Sequence, residues 1–233
     1  MMTLGRSVGA QSPLRYALIL FGFARSVIYD GIEAVDGDPL QDFCVADLDN
    51  MQITVNGLPC RPPSDVVSAD FASSLLREAR NLNQALGSGV NLANALTFPG
   101  LNTLGVSMAR IDFQPGGLNP PHIHPRATEI LFVARGTLLV GFISTTNQLY
   151  SQTLQEGDIF VFPPGLPHFQ LNTDTQFPAL SIVAFNSQDP GVSQLAASLF
   201  TAQPPIPARV LQITLGIHDQ QELDYIINSV ARS

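Results

Sequence analysis

Between residues 103 and 185, short apolar and β-branched runs alternate with turn residues. The stretches 104–113, 129–134, 137–144, 148–154, 158–162, 168–171 and 179–185 have the length and residue types of strands. Between them stand Pro115-Gly116-Gly117, Arg135-Gly136, Thr146-Asn147, Glu156-Gly157-Asp158 and Pro163-Pro164-Gly165. Many short strands at this spacing predict a sandwich or barrel. Outside the block the pattern changes. Residues 36–48 carry Pro, Gly and Asp and predict an extended arm, whereas 70–81 has the spacing of a short helix. Helical patterning returns at 192–200 and 220–230, on either side of the Pro-rich 203–207. In the last of these, Leu223, Ile226, Ile227 and Val230 form one stripe that must pack on something, a neighbouring subunit included.

Composition narrows the class. Hydrophobic residues make up 45% of the 233-residue chain and charged residues 13%. So few charges predict apolar surface shared between subunits as well as a core within one fold. The length suits one all-β domain, or two small ones. A net charge of -8 without a Lys/Arg cluster leaves nucleic acid no electrostatic footprint. Arg6 and Arg15 precede an apolar run, 16–24, that is too short to span a bilayer and suits the core of a secretory signal peptide. Arg25 follows it, with no clean small-x-small cleavage pattern. Residues 1–28 are assigned to this leader and 29–233 to a single domain, with an arm at about 36–66, a barrel at about 98–187 and helices at about 190–231. No other stretch is long and apolar enough to span a membrane. Cys44 and Cys60 would be ordinary buried thiols in a reducing compartment. Behind a leader they read as a disulfide, contributing about 3 kcal/mol. No Asn-x-Ser/Thr sequon is present, so N-glycosylation is not expected.

Candidate chemistry lies in the histidines. The chain has four, and three stand in two motifs. One runs from Gly117 through Asn119, His122, His124 and Glu129 to Gly136; the other runs from Gly157 through Pro163, Gly165 and His168 to Asn172. Side chains alternate along a strand, so His122 and His124 share a face. Glu129 is at an odd offset from them, but Pro125 interrupts the ladder and a bend there can return it to the same side. In its own strand Glu129 shares a face with Leu131 and Val133, and His168 shares one with Gln170 and Asn172. Where such faces converge in a barrel, three imidazoles and a carboxylate surround a metal site with room for water or substrate. A lone histidine near a turn is ordinarily a solvated surface residue, and His218, which fits no motif, is read that way. Arg126 and Arg135 read as surface charges or ion-pair and subunit contacts. Donor chemistry leaves the metal open: imidazole suits zinc, copper, iron and nickel, whereas carboxylate and water suit harder ions.

These spacings resemble the two motifs of the cupin superfamily, and the likeness extends to the germin and germin-like proteins of plants. It is carried by residues 38–47 (DPLQDFCVAD), 55–60 (VNGLPC), 98–108 (FPGLNTLGVSM), 119–129 (NPPHIHPRATE) and 185–191 (FNSQDPG), and covers the chain from about 36 onward. The resemblance implies an all-β fold, a cupin jelly-roll β-barrel with C-terminal α-helices. It implies Mn(2+) held by His122, His124, Glu129 and His168, a Cys44–Cys60 disulfide, a homohexamer built as a trimer of dimers, and secretion to the extracellular space, the apoplast or cell wall.

The resemblance also implies a choice of activities. Germins oxidise oxalate with dioxygen to carbon dioxide and hydrogen peroxide; other members are superoxide dismutases, a few hydrolyse nucleotide sugars and many have no settled activity. The opposing reading of this chain is a non-catalytic extracellular wall or receptor-type protein. In the oxalate-oxidising germins an Asn occupies the position of Ala109, while a second pocket Asn is kept here as Asn119. Losing one well-aimed buried donor costs on the order of 10²–10³ in rate. Superoxide dismutation is therefore the expected activity, with oxalate oxidation second. Asn119, Gln170 and Asn172 are candidates to hold metal-bound water or a metal ligand, or else to satisfy turn backbone groups.

Overall fold

The computed structural model describes residues 44–49 and 57–232. The leader and about half of the arm, 1–43 and 50–56, lie outside the described residues. Among the described residues there are ten strands: β1 Ser88–Ala93, β2 Ser107–Phe113, β3 Leu118–Ile123, β4 Glu129–Arg135, β5 Thr137–Ile143, β6 Leu149–Gln155, β7 Ile159–Phe162, β8 His168–Asn172, β9 Ala179–Phe185 and β10 Ser193–Gln194. Three helices follow, α1 Leu195–Phe200, α2 Ala208–Leu215 and α3 Gln220–Arg232.

The strands form two antiparallel five-stranded sheets, ordered β1-β2-β9-β4-β7 and β10-β3-β8-β5-β6. Alternation sends one side-chain set of each strand between the sheets. Ile111, Phe113, Leu131, Val133, Leu138, Val140, Phe162 and Val183 fill that space and are almost wholly buried. Each such side chain contributes roughly 1.5–3 kcal/mol on burial. Positive-φ glycines make the turns that return the chain, among them Gly165 at φ 71° just before β8.

The 70–81 segment corrects the expectation of a helix. Only a short 3-10 turn, Ser68–Phe71, forms near it. Its later carbonyls are taken by the barrel instead: Arg110 donates to the carbonyls of Leu76 and Arg77, and Asn91 donates to that of Glu78. Acceptors satisfied from outside leave an i to i+4 ladder nothing to gain. The α3 stripe packs within this chain, where Leu223 joins Leu211 and Ile217, flanked by Phe200, Ile206, Ile226 and Ile227.

Cys44 and Cys60 are joined by a disulfide with their Cα atoms 4.9 Å apart. Fully buried Asn102 clasps the same loop, accepting from Leu58 N and donating to Leu58 O, both at 2.8 Å. Among the described residues no helix is long and apolar enough to cross a membrane.

Candidate metal centre

His122, His124, Glu129 and His168 converge between the sheets, with one ligand atom from each within 4.8 Å of the others. His122 lies in β3 and His168 in β8, opposite each other in register. His124 stands just past the end of β3. Glu129 opens β4 in the facing sheet, reached by a turn at Pro125 and Arg126. The bend anticipated at Pro125 thus brings Glu129 to the side of the histidines, from a strand of the facing sheet. Glu129, Leu131 and Val133 face inward, as do His168, Gln170 and Asn172.

Each imidazole is tied by Nδ1 to a main-chain carbonyl: His122 to Pro120 at 2.9 Å, His124 to Gly191 at 2.6 Å and His168 to Leu166 at 2.8 Å. A carbonyl only accepts, so Nδ1 must carry the proton and Nε2 of the neutral ring carries the lone pair. All three Nε2 atoms are therefore ready to bind a metal. The carboxylate Oε2 of Glu129 sits 3.0 Å from His124 Nε2 and 3.3 Å from His168 Nε2. His168 Nε2 is buried without a hydrogen-bond partner. Lone pairs facing a carboxylate repel unless a cation lies among them, and the donor set fits a divalent ion. Phe162 stacks on His168, and Phe185 meets His124 edge-on, with centroid distances of 4.5 and 4.7 Å.

Protonation agrees. Burial pushes the His122 imidazolium down, helped by neighbouring His168, to a pKa of about 4. For Glu129, burial acts to raise the pKa, but hydrogen bonds from His124 and His168, made when a proton rather than a metal sits on Nε2, outweigh it and hold the carboxyl at about 2. Near neutral pH these two ligands are in the forms that bind metal.

A buried amide relay supports the carboxylate. Asn119 Nδ2 donates to Gln170 Oε1 at 2.7 Å, and Gln170 Nε2 donates to Glu129 Oε1 at 3.2 Å. Asn172 does something else: it donates to the carbonyls of Gln114 and Phe177 and accepts from Asp174 N, fastening turns. His218 is exposed, as expected. Arg126 pairs with Asp189 through Nη2 and Oδ2 at 2.9 Å. A cavity of about 200 Å³ opens beside the ligands. Its apolar walls include Val90, Leu92, Ile111, Val183 and Phe185; Ala109 is also on the wall, and Asn119 and Gln194 contribute amides. Neither Gln194 nor the Gly191 carbonyl was anticipated from the sequence. A main-chain acceptor leaves no residue-type signal, and Gln194 lies in a stretch read as helix.

A double-sheet barrel with a buried three-histidine, one-carboxylate group defines a metal-binding cupin, and the Cupin family profile matches residues 74–223. The chain is 54% identical over 178 residues to "Germin-like protein subfamily 2 member 1" of Arabidopsis thaliana, covering 76% of this chain and 80% of that one. It is 56% identical over 174 residues to "Rhicadhesin receptor" of Pisum sativum, covering 75% and 79%. Among solved structures it resembles oxalate oxidase in complex with the substrate analogue glycolate, at 46% identity and a TM-score of 0.81, over 84% of this chain and 98% of that one. The chain belongs to the germin-like branch of the cupin family.

Proposed function

We propose that this chain is a secreted, manganese-binding protein that dismutes superoxide at the centre formed by His122, His124, Glu129 and His168. The observation that carries the reading is three buried imidazoles, each fixed in the tautomer that presents Nε2, around one buried carboxylate. Neutral imidazoles and one carboxylate leave a divalent ion with a net single positive charge. In an apolar cavity that charge attracts a small anion. Bound manganese would supply one-electron exchange between two oxidation states. The protein's part is to orient Glu129 through Gln170 and Asn119 and to exclude bulk water with Val90, Leu92, Ile111 and Phe185. Overall, two superoxide anions and two protons give dioxygen and hydrogen peroxide. Manganese, rather than zinc, copper, iron or nickel, rests on the family resemblance.

Oxalate oxidation is the second reading, favoured by the likeness to an oxalate oxidase holding glycolate. Against it stands Ala109, whose methyl lines the cavity where an amide would be needed. A receptor-type role draws support from the relative named for rhicadhesin. The disulfide supports an oxidising, extracellular location. Exposed Met108, Ile130, Phe132, Ile159 and Val161 on β2, β4 and β7 support burial against further copies in a homohexamer.

The test is superoxide and oxalate turnover on one metallated sample, against free manganese at equal concentration. Superoxide turnover above free manganese supports dismutation. Oxalate turnover in its place supports the second reading, and neither activity supports the receptor role.

A further inference from the structure

The segment after His124 is laced to the loop 186–191. His124 Nδ1 donates to Gly191 O at 2.6 Å, Arg126 N to Pro190 O at 3.2 Å, Arg126 Nε to Asp189 O at 2.8 Å, and Thr128 N to Asn186 Oδ1 at 2.7 Å. Arg126 Nη2 adds an ion pair to Asp189 Oδ2 at 2.9 Å. The other carboxylate oxygen of Asp189 accepts from Asn94 at 3.3 Å. Gly191 has φ 65°, and a Cβ there would meet the Arg126 guanidinium at 2.9–3.1 Å, so that group lies close against the Gly191 backbone.

The other two ligands differ. His122 and His168 bond carbonyls two residues before themselves, Pro120 and Leu166, so local chain geometry fixes their acceptors. The acceptor of His124 comes from 67 residues away. Something must hold that carbonyl in place, and Arg126 is the side chain that grips its loop while standing two residues from the ligand. We infer that Arg126 is a positioning residue for the metal centre: it clamps the 189–191 loop so that Gly191 O fixes the tautomer and orientation of His124. The role rests on the metal reading above. Half-exposed ion pairs contribute little to global stability, so the effect of the clamp is local to one ligand.

The test compares Arg126→Gln and Asp189→Asn with the parent and with Arg135→Gln, a control at an exposed site outside the clamp. Manganese and zinc affinities are measured by chelator competition. The ring Nδ1–H signals of the zinc-loaded proteins are followed by NMR with solvent exchange. Support of an acceptor beyond the ligand is worth about 10–100-fold in metal affinity. Arg126→Gln should therefore weaken binding by about tenfold, the low end for an exposed clamp. The His124 Nδ1–H signal should shift and exchange faster, while those of His122 and His168 stay in place. Asp189→Asn should do the same more weakly, and Arg135→Gln should match the parent. Unchanged affinity with all three signals in place would overturn the role, as would equal disturbance of all three rings. A parent that binds neither metal would refute the metal reading itself, and the clamp with it.

Discussion

Replacing Gln170 with leucine isolates the support beneath Glu129. The side chain is wholly buried, accepting from Asn119 at 2.7 Å and donating to Glu129 Oε1 at 3.2 Å. Leucine is close in volume, so little cavity is opened and the polar loss dominates. A hydrogen bond to a charged group is worth about 1.5–3 kcal/mol, and a stranded buried amide costs about 1–3 kcal/mol. Asn119 retains slight solvent access, which favours the lower ends. Together these give a destabilisation of about 3 kcal/mol for the metal-free protein, or a Tm lower by about 6–12 °C for a domain of this size. Metal affinity should fall by about 10–100-fold, because the carboxylate loses the partner that orients it. Differential scanning fluorimetry of metal-free samples, with chelator competition on the same preparations, measures both. A Gln170→Leu protein that melts with the parent and binds metal equally well would refute the relay. Asn119→Ala, which removes only the outer link, should show a smaller loss on both counts.

Ala109→Asn places an amide on the cavity wall and should raise oxalate oxidation by on the order of 10²-fold, read as hydrogen peroxide released from oxalate at full metal loading. The metal-free protein should lose stability on acidification. His122 has a folded pKa of about 4, below its ordinary 6.5, so the unfolded chain binds the proton first. Its contribution is complete above about pH 6.5, falls toward pH 4 and amounts to about 3 kcal/mol. Glu129, lowered from 4.5 to about 2, adds a second loss as pH falls through that lower window. Tm against pH measures both, and His122→Gln should flatten the upper part of the curve. Cys44→Ser with Cys60→Ser should cost about 3 kcal/mol in denaturant unfolding, the value for a loop of this length.

The barrel strands were legible because alternation and turn chemistry agree along them: β9 begins and ends where the pattern places it, and the inward sets of β4 and β8 follow from the two-residue period. The grouping of His122, His124, Glu129 and His168 was legible from motif spacing. What escaped is instructive. β1 (SGVNLA) is poor in strand formers and is held by its pairing to β2. β3 contains Pro120 and Pro121, which cannot donate to a ladder, and the register shifts between Asn119 and His122 to accommodate them. α2 follows Pro207 directly and was hidden by the Pro-rich stretch before it. The start of 192–200 is taken by β10, which pairs with β3 and sets Gln194 opposite His122. That Glu129 belongs to the sheet facing its partners depends on the closure of the whole barrel, which no local spacing encodes.

Elemental analysis of the purified protein beside His124→Ala, with superoxide turnover assayed on both, decides whether this centre holds manganese and turns over superoxide. The parent chain should carry close to one manganese ion with turnover above that of free manganese, and the variant little metal and no such turnover. Equal metal content in the two proteins, or a parent without manganese, would contradict that reading.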